Sequence, residues 1–414
     1  MRRMGQSVVQ KIIARAAGRE TVEPGEYVTV TPDYTCCQDI SWPARKRIME
    51  QAGVTRLAHP EKLVLVVDHT TAAGMGSPYH RNHGEMRDFA EKHGANYFGP
   101  GSGLRHQVLV EQGFARPGTL VFSDEPNIAS IGVVGALNIA ISTEVVVTSV
   151  LNENWMVVPR PIRFTLTGKL AEGVHIRDLA QAIIRDYAET DLLSQGCIEY
   201  GGDGVAGLSL DERQTLLACT YHAGPDTALM PVDEAALAYA RSRADGRPFE
   251  VFEADADAEY AYEASFDLGA LEPLVTVPPE LHTVSPVGEV AGLRIDQAAI
   301  GTCANGRNLS DSQLKRIAAQ GGLVGIGFWN TAVCGKDVAS IARAIAYTVK
   351  LIGAQHVAYG SDFDGAVTTA IDAAGLPHLT QALLDAGLSE AQIRRVAGEN
   401  VRDFLLKNLP DDDA

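Results

Sequence analysis

Short apolar runs alternate with amphipathic stretches along the first part of the chain, a pattern that predicts layered α/β domains rather than a sandwich or a bundle. Lys62-Leu-Val-Leu-Val-Val67 reads as a parallel strand buried on both faces, and it runs directly into Asp68-His69. Residues 80 to 94 then read as a polar helix closed by Gly94, and Thr119-Leu-Val-Phe122 as a second buried strand ending in Ser123-Asp124. Polar groups at the carboxyl ends of strands matter because open α/β sheets place their ligands there. The stretch Ile128 to Thr143 has no charge and continues past Glu144 to Val150. It falls short of the roughly 20 residues of a membrane span and is interrupted by Gly132, Gly135 and Asn138, so a buried core helix is expected. Phe252 to Asp267, rich in Asp and Glu, reads as an exposed acidic connector.

The pattern changes character after residue 307. Ser310 and Gln313 are spaced as a capping box, and the helix they open stops at Gly321-Gly322. A strand over Leu323–Phe328, a helix over 337–352, a strand over His356–Gly360 and a last helix from Ser389 to about Lys407 make two βα units of a barrel. Composition then narrows the classes. With 414 residues, 46% apolar and 21% charged, the chain can bury two or three cores. Its 35 basic against 52 acidic residues give a net charge of -17, which repels nucleic acid and anionic membrane surfaces. Six scattered cysteines without a Cys-x-x-Cys point to reduced thiols, and the opening Met-Arg-Arg-Met-Gly-Gln has no signal-peptide pattern, so a cytoplasmic location is expected.

Several short motifs fall in a common order. They are Glu23-Pro-Gly-Glu, Cys37-Gln38-Asp39, Asp68-His69 and Gly99-Pro-Gly-Ser-Gly-Leu-Arg-His106, followed by Lys169-Leu-Ala-Glu-Gly-Val, Gly202-Asp-Gly-Val, Leu208-Ser-Leu-Asp-Glu-Arg213 and Ile295-Asp-Gln. Together they make residues 1–306 resemble the large subunit of the aconitase and isopropylmalate dehydratase superfamily. The resemblance implies layered α/β domains and a hydro-lyase that removes and re-adds water on a hydroxy di- or tricarboxylic acid such as isopropylmalate or aconitate. It implies a [4Fe-4S] cluster as Lewis acid on the hydroxyl, because hydroxide leaves only when its charge is taken up and it is protonated. It implies acid–base roles for Asp68, His69, His106 and Asp124, the carboxylates orienting the imidazoles, and substrate contacts for Gln38 and Asn305. Cys303 would be a cluster ligand. A separate small swivel subunit is the implied partner.

Two departures accompany the match. Where that superfamily has Asp-Ser-His-Thr, this chain has Asp124-Glu125-Pro126-Asn127, and its Thr302-Cys303-Ala304-Asn305 is followed by no Cys-x-x-Cys. At Gly301-Thr-Cys-Ala-Asn-Gly-Arg307 the resemblance changes. Arg307-Asn-Leu-Ser-Asp, Gly325-Ile-Gly-Phe-Trp, Gly360-Ser-Asp362-Phe-Asp364-Gly365 and Glu399-Asn400 make residues 307–414 similar to the C-terminal part of the membrane dipeptidase family. That likeness implies a partial (β/α) barrel with Asp362 at its catalytic mouth, and zinc as an alternative metal for hydrolysis of a dipeptide-like substrate. The family's earlier His, Asp and Glu zinc ligands have no counterpart upstream. Three readings therefore stand at this stage: a hydro-lyase, a zinc-dependent dipeptidase-like hydrolase, and a mosaic of the two families that is catalytically incomplete.

Overall fold

The computed structural model describes residues 5–70, 78–277, 280–292, 311–328, 333, 335, 337–360 and 369–408. They fall into two compact units. Of the described residues the larger unit holds 5–67 and 81–292, and the smaller holds 68–70, 78–80 and the chain from 311 onward.

In the larger unit, helix α1 (Val8–Ala16) starts at Ser7, which closes a reciprocal capping box with Gln10. Strand β1 (Tyr27–Val30) precedes β2 (Tyr34–Gln38), α2 (Trp42–Gln51), β3 (Leu63–Val66), α3 (Pro78–His93), β4 (Asn96–Phe98), α4 (Arg105–Glu111), β5 (Leu120–Ser123), β6 (Leu137–Ala140), α5 (Val145–Leu151) and β7 (Asn154–Val157). Strands β4-β3-β2-β5-β6 form a wholly parallel sheet in that order, and β1 pairs with β7 as an antiparallel ribbon. Helices cover both faces, which is why Leu63-Val-Leu-Val66 is buried at every position. Val64 and Val66 enter the core that holds Cys36, Val108 and Leu109, while Leu63 and Leu65 enter the core of Cys37, Trp42 and Met86.

The uncharged stretch after Pro126 is buried but is not one helix. It is a 3-10 run (Pro126–Val134), a turn at Gly135 with φ +71°, strand β6, and then α5 after Glu144. Gly135 adopts the left-handed conformation that ends helices, and Leu137–Ala140 finds better partners in β5, pairing Leu120 with Leu137. Gly132 sits where an added Cβ would lie 2.4 Å from the Ala228 carbonyl, so this run packs tightly on the next sheet.

That second sheet is also parallel. Strands β8 (Arg160–Thr167), β9 (Gly196–Gly201), β10 (Thr227–Leu229) and β11 (Tyr262–Asp267) lie in the order β10-β9-β8-β11, with α6 (Ile176–Tyr187) and α7 (Leu210–Thr220) as crossovers and α8 (Glu234–Arg243) after β10. The acidic stretch is therefore not simply a connector: its last six residues are the edge strand β11. Its earlier part is strapped to the start of α1. The Gln6 amide donates to Asp255 at 2.8 Å, Lys11 Nζ reaches Asp255 at 2.5 Å, and Tyr260 donates to the buried Glu199, which also accepts from the Val9 amide at 2.7 Å. A further antiparallel ribbon joins β12 (Leu274–Thr276) to β13 (Val284–Pro286).

The smaller unit is a βαβ arrangement. A helix over Asp311–Ala319 leads to β14 (Val324–Gly327), a helix over Val338–Ile352 capped by Asp337, and β15 (Val357–Gly360), which pairs with β14 in parallel. Ile341, Ile345, Val349, Leu379 and Leu383 fill its core. The helix expected from Ser389 begins with its capping box but is divided by a π turn at Arg395–Glu399 before resuming over Asn400–Asn408. Asn400 explains the break, since its side-chain amide donates to the carbonyls of Ala354 and Val357 at 2.6 and 2.8 Å. Among the described residues no helix is long and apolar enough to cross a membrane.

Candidate active site

The strand order of the first sheet fixes where a site belongs. From β2 the chain builds outward through β3 and β4 on one side, then returns to place β5 and β6 on the other, so β2 and β5 flank a topological switch point. Crossover loops diverge there and leave a crevice at the carboxyl ends of the strands. The end of β2 supplies Gln38 and Asp39, and the end of β5 supplies Asp124 and Glu125.

Asp124 is the hub. Its carboxylate accepts from Arg105 Nη1 at 2.5 Å, from the Ser41 hydroxyl, and from the Gln38 amide at 3.4 Å. Arg105, at the first position of α4, donates its other nitrogen Nη2 to Glu125, whose second oxygen accepts from Asn127 Nδ2 at 2.6 Å. The Arg105 side chain is 1% exposed and that of Asp124 0%, while Glu125 is 22% exposed. One buried guanidinium thus holds two carboxylates, and the triad carries net negative charge. Breaking such a buried arrangement typically costs about 3–5 kcal/mol, because the charge left behind is uncompensated.

His106 follows Arg105 on α4 and is buried. Arg105, its neighbour on this helix, donates to Asp124. Gln38 is also buried, and its side-chain carbonyl Oε1 has no hydrogen-bond partner among the described residues. Asp39 lies with its Oδ2 3.5 Å from Nε2 of His83 on α3, both side chains being buried. In the smaller unit His69 Nδ1 lies 2.8 Å from Asp68 Oδ1, with Asp68 nearly enclosed and His69 35% exposed. Cys303, Asn305 and Asp362 lie outside the described residues.

Sequence reasoning did not single out Arg105 or His83, and it met Glu125 only as a departure from a motif. A usable signal existed. An arginine adjoining His106, an acidic Asp124-Glu125 pair and a strand-to-helix boundary at each mark an ion pair by charge alone.

Residues 10–293 match the aconitase family (aconitate hydratase) and residues 296–405 match the membrane dipeptidase family (peptidase family M19). The "3-isopropylmalate dehydratase large subunit" of Sulfurihydrogenibium sp. (strain YO3AOP1) is 36% identical over 321 residues, 76% of this chain and 72% of the relative. "3-isopropylmalate dehydratase large subunit 1" of Methanopyrus kandleri is 35% identical over 308 residues, covering 73% and 72%. The "Probable 3-isopropylmalate dehydratase large subunit" of Methanothermobacter thermautotrophicus is 35% identical over 310 residues, covering 74% and 73%. The chain belongs to the aconitase family. Membership makes it a dehydratase-type hydro-lyase chain, and iron–sulfur chemistry goes with the family's dehydratases.

The described thiols of this aconitase-family chain do not fit such a cluster. Cys36 and Cys37 are neighbours on β2 and enter opposite cores, Cys197 lies in the core beneath α1, and Cys219 ends α7. All four are buried. Burial, and next the nearby Asp124 carboxylate, push the Cys37 thiol well above its ordinary range; burial and then Glu199 do the same to Cys197. A cluster needs thiolates, and burial holds Cys37 and Cys197 as thiols.

Proposed function

We propose that this chain is the large subunit of a hydro-lyase acting on a hydroxy di- or tricarboxylic acid, with 3-isopropylmalate as the first candidate because its relatives carry that name. The supporting observation is the arrangement at the switch point, where the Oε1 acceptor of Gln38 and the carboxylate of Asp124 belong to one hydrogen-bonded strand-end group. An amide carbonyl accepts a hydrogen bond from a substrate hydroxyl and so orients it, while the leaving oxygen takes its proton from another group. Asp124, His106, Asp68 and His69 are the proposed proton-handling groups, since elimination of water takes one proton from carbon and gives one to oxygen. Asn305 and Asp362 are proposed substrate contacts and Cys303 a proposed metal ligand. Residues 1–306 are proposed as the dehydratase-like region and 307–414 as the dipeptidase-like segment.

Arg105 serves a different end in this reading. Two carboxylates already occupy it, so it sets the position of Asp124 rather than meeting a substrate carboxylate. A small subunit is the proposed source of the cationic partners that a polycarboxylate needs. The test is formation of the unsaturated acid from 3-isopropylmalate, followed by its ultraviolet absorbance, using anaerobically purified chain with and without a relative's small subunit. Turnover that Gln38→Ala lowers roughly 2- to 10-fold in kcat/KM, the worth of one hydrogen bond, supports the reading. A chain that binds the small subunit yet leaves every hydroxy acid of this class untouched would sink it.

A further inference from the structure

We infer that this chain cannot by itself hold a [4Fe-4S] cluster, and that any cluster formed on it takes ligands from outside the polypeptide. The inference rests on the family's cofactor, not on the choice of substrate above. A cube of this kind is held by several cysteine thiolates, normally one for each of at least three irons. The chain has six cysteines, and four of them are accounted for as buried core side chains.

Their placement rules out convergence. Adjacent residues on a strand point to opposite faces, so Cys36 and Cys37 are separated by the sheet itself. Cys197 belongs to the other parallel sheet, where it pairs in register with Thr227 and Pro161. Cys219 sits at the end of α7 beside Arg177 Nη1. Among the described residues no group of three metal-ligating side chains within 4.8 Å of one another includes a thiol. Cys37 and Cys197 would also have to shed a proton against the burial that raises them. Buried cysteine in such surroundings behaves as a small hydrophobe. That leaves Cys303 and Cys334, two thiols, as the most the chain can offer.

The experiment is anaerobic reconstitution of the full chain with ferrous iron and sulfide, followed by desalting, iron and acid-labile sulfide analysis, and measurement of oligomeric mass in the same sample. The expected result is fewer than four irons and four sulfides per chain, or four of each shared between two or more associated chains. Single substitutions Cys36→Ala, Cys37→Ala, Cys197→Ala and Cys219→Ala should leave the iron content unchanged, while Cys303→Ser should lower it. Four irons and four sulfides per monomer in the wild-type chain, or loss of bound iron in any folded variant of the four core cysteines, would overturn the inference. Circular dichroism of each variant separates loss of iron from loss of fold. Iron content is read without turnover, so failure of the dehydratase assay and failure of this inference are separate results.

Discussion

The two parallel sheets of the larger unit are built alike and finished differently. In each, the strand order reverses once, between β2 and β5 in the first sheet and between β8 and β11 in the second. At the first reversal the strand ends carry two acids gripped by a buried arginine from the start of α4, with a buried glutamine beside them. At the second, the strand-end carboxylate of Asp267 merely accepts from the amide of Gly269 at 2.9 Å and lies in solvent beside Gly168. The same topology therefore offers two crevices, and only the one with desolvated, mutually held charges has the electrostatic character of a reaction site.

The comparison breaks most visibly at Arg105. Replacing it with Met leaves Asp124 and Glu125 facing each other without their cation, and unfolding in guanidinium should register a loss of about 3–5 kcal/mol. If stability is unchanged, the triad is not the organising element described above. A matched pair of substitutions sharpens the contrast. Asp124→Asn should lower kcat/KM for dehydration by roughly 10²–10⁴-fold, the usual span for a proton-handling group. Asp267→Asn, at the equivalent place in the second sheet, should leave turnover alone and move stability by no more than about 0.5 kcal/mol. Equal losses at both positions would show that the two crevices are not different in kind.

The smallest effect concerns the one deeply buried carboxylate of the second sheet. Burial raises the Glu199 pKa, its hydrogen bonds to Val9 and Tyr260 opposing that only in part. A raised folded-state pKa means the folded chain holds this proton more tightly than the unfolded one. The corresponding stability is fully present below the ordinary carboxylate range and is lost as pH rises through the raised value. Glu199→Gln should remove that slope while Gln still accepts from the Val9 amide. Denaturation midpoints measured from pH 4 upward, in wild type and variant, read the difference directly; parallel curves would exclude Glu199 as its source.

Much of this was legible in the residues because burial on both faces leaves a plain mark. The run Leu63–Val66 and the run before Ser123-Asp124 gave strands whose polar ends fall at the switch point. The stretch after Pro126 was misread as helix because an apolar run carries no period that separates a buried strand from a buried helix. Gly135 was the breaker to heed. Residues 252–267 were misread for the opposite reason: charge suggested solvent, yet β11 is an edge strand whose polar positions alternate outward, as Glu263, Ser265 and Asp267 show. Arg105 stayed invisible since its importance lies in partners 19 and 20 residues away that only the sheet brings together.

The strap between α1 and the acidic stretch has a consequence for how the chain is made. Gln6 is bonded to a residue 249 positions later, and Val9 to one 190 positions later. During synthesis the first helix leaves the ribosome long before its anchors exist. At about 5–20 residues per second, the 190 and 249 residues that separate these bonded pairs take roughly ten to fifty seconds to appear. The docking of its first turn can finish only after Tyr260 emerges, so the start of α1 is among the last parts of this unit to be secured.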